Sequence, residues 1–70
     1  MPYATNTDLP PSVRHHLPER AQDIFREAFN HASQTYGERE PDRAEEIAFR
    51  VAWAAVKKQY HKAGDAWVLR

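Results

Sequence analysis

Cysteine is absent from this 70-residue chain, and glycine occurs only twice, as Gly37 and Gly64. Without thiols, neither a disulfide framework nor a thiolate zinc site can form. Two isolated glycines make no glycine-rich loop to cradle a phosphate. Net charge is missing as well, because ten basic and ten acidic side chains cancel. Domains that grip nucleic acid through its phosphates carry a positive excess, so nucleic acid is a disfavoured partner. No apolar run approaches the roughly 20 residues that cross a bilayer, which argues against membrane insertion. Residues Met1 to Asp8 offer neither a basic leader nor an apolar core, so no signal peptide is read and the expected compartment is the cytoplasm.

What is present has to build a dense core. A chain of this length buries roughly 60% of the surface its unfolded form exposes. Two Trp, three Phe and three Tyr are its main resource, each worth about 150–250 Å² when packed inside. A single domain over residues 1–70 is expected, and a monomer.

The periodicity predicts an all-α, compact three-helix fold. Leu9, Val13 and Leu17 share one face of a short first helix over about 10–16, where prolines suit the opening turn and Asp8 lies near the positive end. Pro18 ends that helix and opens the second, over about 18–36. There Ala21, Ile24, Phe25, Ala28, Phe29, Ala32 and Tyr36 fall on one side and Gly37 is placed as the stop. The charged connector Glu38–Pro41 has the length that joins antiparallel helices. The third helix is expected over about 42–62. Ala44, Ile47, Ala48, Val51, Ala54 and Ala55 form one stripe, and Phe49, Trp53, Val56 and Tyr60 form a second, nearly opposite. A helix apolar most of the way round belongs at the centre of a fold.

Something must then cover the aromatic stripe. Both chain ends are β-prone, so a small two-stranded ribbon from the N- and C-terminal segments, about 2–5 and 66–69, is expected to lay Tyr3 and Trp67 across it. The core list follows: Ile24, Phe25, Phe29, Ile47, Val51, Trp53, Val56, Tyr60 and Trp67. Trp53 and Trp67 are expected to be largely buried.

The residues that could carry chemistry each have a plainer role. His15 and His16 are adjacent and point about 100° apart on a helix, while His31 and His61 fall at opposite ends of the antiparallel pair. A zinc site wants three or four converging ligands, so these read as surface histidines, with no metal and no cofactor expected. The carboxylates Glu38, Glu40, Asp42, Glu45 and Glu46 alternate with Arg39 and Arg43 in a solvated turn, not in the burial that separates the pKa values of an acid–base pair. Lys57, Lys58, His61 and Lys62 form a basic cluster that completes a helix dipole more simply than it binds phosphate or acidic lipid. No serine or threonine has an evident base partner, and the chain reads as no enzyme.

Six motifs in register resemble the ChaB family. They are Met1-Pro2-Tyr3; Asp8-Leu9-Pro10 with Val13; Leu17-Pro18; and Ala21-Gln22-Asp23-Ile24-Phe25 leading to Ala28-Phe29-Asn30. Val51-Ala52-Trp53-Ala54-Ala55-Val56-Lys57 with Tyr60, and Gly64-Asp65-Ala66-Trp67, complete the set. The resemblance covers essentially the whole chain, with a connector from Gly37 to Pro41 shorter than the family's. It implies a small helical cytoplasmic protein named as regulator of a cation/proton antiporter, and it brings no catalytic or ligand residues.

The expected function is therefore non-enzymatic regulation through contact with another protein, the resemblance pointing to a membrane cation/proton antiporter. The expected partner surface is the wet strip of the third helix, Arg43, Glu46, Arg50, Lys57 and His61, together with the polar face of the second, Arg26, Glu27, Asn30 and Gln34. The alternative is a nucleic-acid accessory module using Lys57, Lys58, Lys62, Arg14 and Arg20.

Overall fold

A computed structural model describes residues 3–70. A single 3-10 turn at Asn6–Asp8 leads into α1 (Pro11–His16), α2 (Glu19–Gly37) and α3 (Ala44–Gln59), followed by β1 (Tyr60–Ala63) and β2 (Ala66–Leu69). Three helices and a small antiparallel sheet thus make the fold.

Proline sets the α1–α2 corner. Pro18 has no N–H to give the Arg14 carbonyl four residues back. The Gln22 side-chain amide replaces it, donating to the carbonyls of Arg14 (3.2 Å) and Leu17 (2.9 Å). This bond ties α2 to the end of α1 and satisfies carbonyls that a helix end leaves open.

The core lies between α2 and α3. Phe25 meets both Trp53 (ring centroids 5.1 Å apart) and Phe49 (6.0 Å), while Phe29, one turn on, meets Phe49 (4.9 Å). Contacts that advance along α2 and retreat along α3 make the pair antiparallel. α2 buries Ala21, Phe25, Phe29 and Ala32, and α3 answers with Ala44, Ala48, Ala52 and Val56. Alanine on one side gives the phenylalanines of the other room to approach, so large and small interdigitate. Leu9, Val13 and Leu17 close the cluster from α1 and its flanks, all buried.

Several expectations need correction. α3 does not bury two opposite stripes: one face is inside, with Phe49 and Trp53 half-buried along its flank, while Val51 is 38% exposed and Ala54 is open to solvent. So few residues leave no second layer to cover that side. Ile24, Ile47, Trp53 and Trp67 of the expected core are likewise only half-buried.

The ribbon has a different composition. Pro2, at the start of the strand expected over 2–5, lies outside the described residues, and residues 3–5 form no strand. β2 pairs instead with β1, from Tyr60↔Leu69 to Ala63↔Ala66. α3 therefore stops at Gln59 instead of running on to 62. Tyr60 turns extended (φ −127°, ψ 158°), and its N–H closes the helix on the Val56 carbonyl. His61 and Lys62 sit on β1, so they are not part of the last helical turn.

The two glycines also divide differently. Gly37 remains helical without positive φ, whereas Gly64 has φ +64° in the two-residue Gly64-Asp65 loop. Positive φ at the first loop position only is the pattern of a type II′ hairpin turn, where glycine fits without strain.

Candidate functional site: a half-covered aromatic row on α3

Trp53 is the hinge of the site. It stands edge-on to Phe25 on its inner side and lies 5.6 Å from Trp67, tilted by 31°, on its outer side. β2 brings Trp67 there because the hairpin folds back over the end of α3. The hairpin covers only that end, so Phe49 and Trp53 keep an open edge.

That edge floors a shallow groove of about 500 Å³ lined by Glu46, Phe49, Arg50, Trp53, Ala54 and Lys57. Their spacing is that of one helix face, with charge at both ends and apolar surface between. Glu46 is engaged: it accepts from Arg50 at 3.1 Å, and the Arg43 guanidinium lies 3.9 Å away. Lys57 carries no ion pair among those described and overlooks both this groove and a neighbouring hollow of about 350 Å³ lined by Ser12, His16, Trp53, Lys57, Lys62 and Trp67. An apolar floor with cations along it suits an anchor side chain accompanied by carboxylate.

Of the strip read from the sequence, Glu46, Arg50 and Lys57 line the groove and all five members are exposed. Arg43 stands at the N-cap of α3, and His61 has moved to β1, away from the helical row. Phe49, Trp53 and Ala54 complete the site and are absent from that strip. Periodicity alone placed the aromatics inside; an aromatic row longer than the elements able to cover it was the signal to read.

The polar face of α2 is a different matter. Arg26 donates from Nε to the Asn6 carboxamide oxygen (2.8 Å), whose Nδ2 in turn donates to Asp23 (2.6 Å). Asn30 binds the Tyr3 backbone on both sides. The N-terminal segment covers much of this face, so Arg26 and Asn30 hold structure. Burial first, then the Glu45 carboxylate, raises the Tyr3 phenol above its ordinary value of 10.0.

Three members of the nucleic-acid set divide between two hollows. Lys57 and Lys62 share a hollow, but Arg14 lines a separate polar one of about 610 Å³ with Glu19, His15 and Gln22. Among the described residues, no three His, Asp or Glu side chains gather as a metal cluster, and no helix is long and apolar enough to cross a membrane.

Comparison with known proteins places these features in a family. Residues 9–70 match the family model described as ChaB. The chain is 54% identical over 69 residues to the protein named "Putative cation transport regulator ChaB" in Escherichia coli (strain K12), which covers 93% of this chain and 91% of that one. The protein of the same name in Shigella flexneri matches at the same 54% over 69 residues. The structure titled "NMR solution structure of the putative cation transport regulator ChaB" superposes with a TM-score of 0.85 at 50% identity, covering 99% of each chain.

Proposed function

The chain belongs to the ChaB family, and on that premise we propose that it is a non-enzymatic regulatory module of the cytoplasm that acts by binding another protein. The relatives' name, cation transport regulator, supports a regulatory role. The partner in this reading is the cytoplasmic face of a cation/proton antiporter, as the family resemblance implies.

One observation carries the choice of surface. Phe49 and Trp53 leave apolar area uncovered beside Arg50 and Lys57, in a groove that α2 and the hairpin leave open. Half-exposed aromatics flanked by arginine are the anchors that dominate protein interfaces. Arg50 and Lys57 would steer and orient an acidic segment while Trp53 receives its apolar side chain.

The test is direct binding of the purified chain to a purified cation/proton antiporter in detergent, with the Arg50→Glu chain in parallel. Binding that Arg50→Glu weakens at least tenfold, about 1.4 kcal/mol, supports the proposal. An antiporter that does not bind, or binds both chains equally, removes it.

A further inference from the structure

Charge is sorted along α3 although the total is zero. The stretch from Glu38 to Glu46 holds five acids against Arg39 and Arg43, whereas everything from Lys57 onward holds four cations against the single acid Asp65. The helix that carries Glu45 and Glu46 at one end and Lys57 and Lys58 at the other is 16 residues, about 24 Å long. Folding gathers the second group. The Arg70 side chain donates to the Lys57 carbonyl (2.8 Å), Lys57 and Lys62 share a hollow with Trp67, and His61 pairs across the sheet with Val68.

Beside those cations the hairpin exposes its largest aliphatic side chains, Val68 at 40% and Leu69 at 59%. Residues paired across the sheet share a face, so Leu69 lies on the face of Tyr60 and Trp67, and Val68 lies on the opposite face with His61. The two flank the outer edge of β2, which pairs only with β1 among the described residues. Neither Val68 nor Leu69 lines any of the three hollows described above, the one shared by Lys57, Lys62 and Trp67 included, so these two side chains themselves seat no protein anchor. Aliphatic side chains contribute nothing to phosphate contacts or base stacking, so nucleic acid leaves them unexplained. The boundary between headgroups and acyl chains uses all of these features at once: it takes up shallow apolar side chains and half-buried tryptophan while its anionic lipids attract lysine and arginine.

We propose that the C-terminal hairpin, with Lys57, Lys58, Lys62 and Arg70 around Val68 and Leu69, is a peripheral docking surface for an anionic lipid bilayer. The contact is shallow and reversible, since among the described residues no helix is long and apolar enough to cross a bilayer. It orients the chain with its acidic connector pointing away from the lipid. The inference shares Lys57 with the antiporter reading, but it needs no protein partner and its test variants leave Lys57 in place.

The experiment is co-sedimentation with vesicles of phosphatidylcholine alone and of phosphatidylcholine mixed with phosphatidylserine, at low and raised salt. The chain should sediment with the serine-lipid vesicles, less so as salt rises, and far less with the neutral ones. Lys58→Gln with Lys62→Gln should weaken partitioning by more than tenfold, at about fivefold per cation near such a surface. Val68→Ser with Leu69→Ser should weaken it severalfold. Arg39→Gln, a charge removal at the opposite pole, should leave it unchanged. All these positions are exposed, and circular dichroism confirms that each variant is folded. The proposal is overturned if serine-lipid vesicles are not bound, or if Arg39→Gln weakens binding as much as a hairpin lysine. It also fails if the serine pair has no effect, which would mark a generic polyanion contact such as nucleic acid. Equal affinity for soluble polyglutamate, with the same variant profile, would assign the surface to an acidic protein.

Discussion

The Asn30 carboxamide grips Tyr3 by both of its backbone polar groups: the Tyr3 N–H donates to Oδ1 at 2.7 Å, and Nδ2 donates to the Tyr3 carbonyl at 2.8 Å. A side chain thus does for Tyr3 what a neighbouring strand would have done. The Tyr3 ring follows, settling 4.8 Å from Phe29. This contact takes the N-terminal segment to α2, away from Trp67.

Asn30→Ala should therefore loosen residues 3–5 and the ring of Tyr3 with them. Two hydrogen bonds at about 0.5–1.5 kcal/mol each give an expected cost of about 1–3 kcal/mol. For a domain of this size about 1 kcal/mol lowers the melting temperature by roughly 4–8 °C. A melting temperature equal to the parent's would show that the segment is not held by this contact.

Truncations along the α2–α3 interface should rank by burial. Phe25, fully buried and in contact with Phe29, Phe49 and Trp53, should cost about 4–5 kcal/mol when replaced by Ala, and the half-buried Trp53 about 3 kcal/mol. Either loss is a large share of what a small domain has. Val51→Ala, on the solvent side, should cost about 0.5 kcal/mol or less. Urea denaturation of the three variants checks the order, and a large loss at Val51 would contradict the one-sided burial of α3.

The two glycines should respond to alanine with opposite signs. At Gly64 a methyl group meets nothing within 4 Å, so only the backbone at φ +64° resists it; the penalty for a side chain at such positive φ is about 1–3 kcal/mol. The expected readout is a frayed hairpin and a shifted Trp67 fluorescence. Gly37 is helical with equally open space, and Gly37→Ala should stabilise by about 0.5–1 kcal/mol. Thermal melts of both chains decide the matter.

Tyr3 makes stability depend on alkaline pH. Its folded pKa lies above the unfolded 10.0, raised by burial and then by Glu45. The folded state thus favours the neutral phenol. That contribution is fully present below pH 10, and is lost as pH rises through the folded value. Tyr3→Phe, which cannot ionise, should remove this part of the alkaline decline. Melting temperatures of parent and variant, measured on both sides of pH 10, should differ in slope, and parallel curves would count against the effect.

Reversing Arg50 and Lys57 to Glu should barely move the melting temperature. The Glu46–Arg50 pair is 3.1 Å long but exposed on both sides, and such pairs contribute about 0–1 kcal/mol. A collapse of the fold on reversal would mean that the groove residues are structural. A normal melt with weakened antiporter binding is the expected pair of results.

Much of the architecture was legible because it is local. The period of Ala21, Phe25, Phe29 and Ala32 marks the buried face of α2 whatever surrounds it, and Pro18 ends α1 by its own covalent chemistry. Other features depended on who meets whom. The β propensity of residues 66–69 says that a strand forms but not which segment pairs with it; the two-residue Gly64-Asp65 loop closes far more cheaply than a pairing of chain ends. The Gly-Asp signal was present in the chain, but the apolar period running on to Tyr60, with the basic cluster through Lys62 read as the end of that helix, masked it. Polar residues were less legible still. Nothing local distinguishes Asn30, which binds Tyr3, from Gln34 one turn later, which remains exposed. The open edge of Trp53 had to await tertiary structure for the same reason, since periodicity defines which face is apolar and only the number of neighbouring elements decides how much of it is covered.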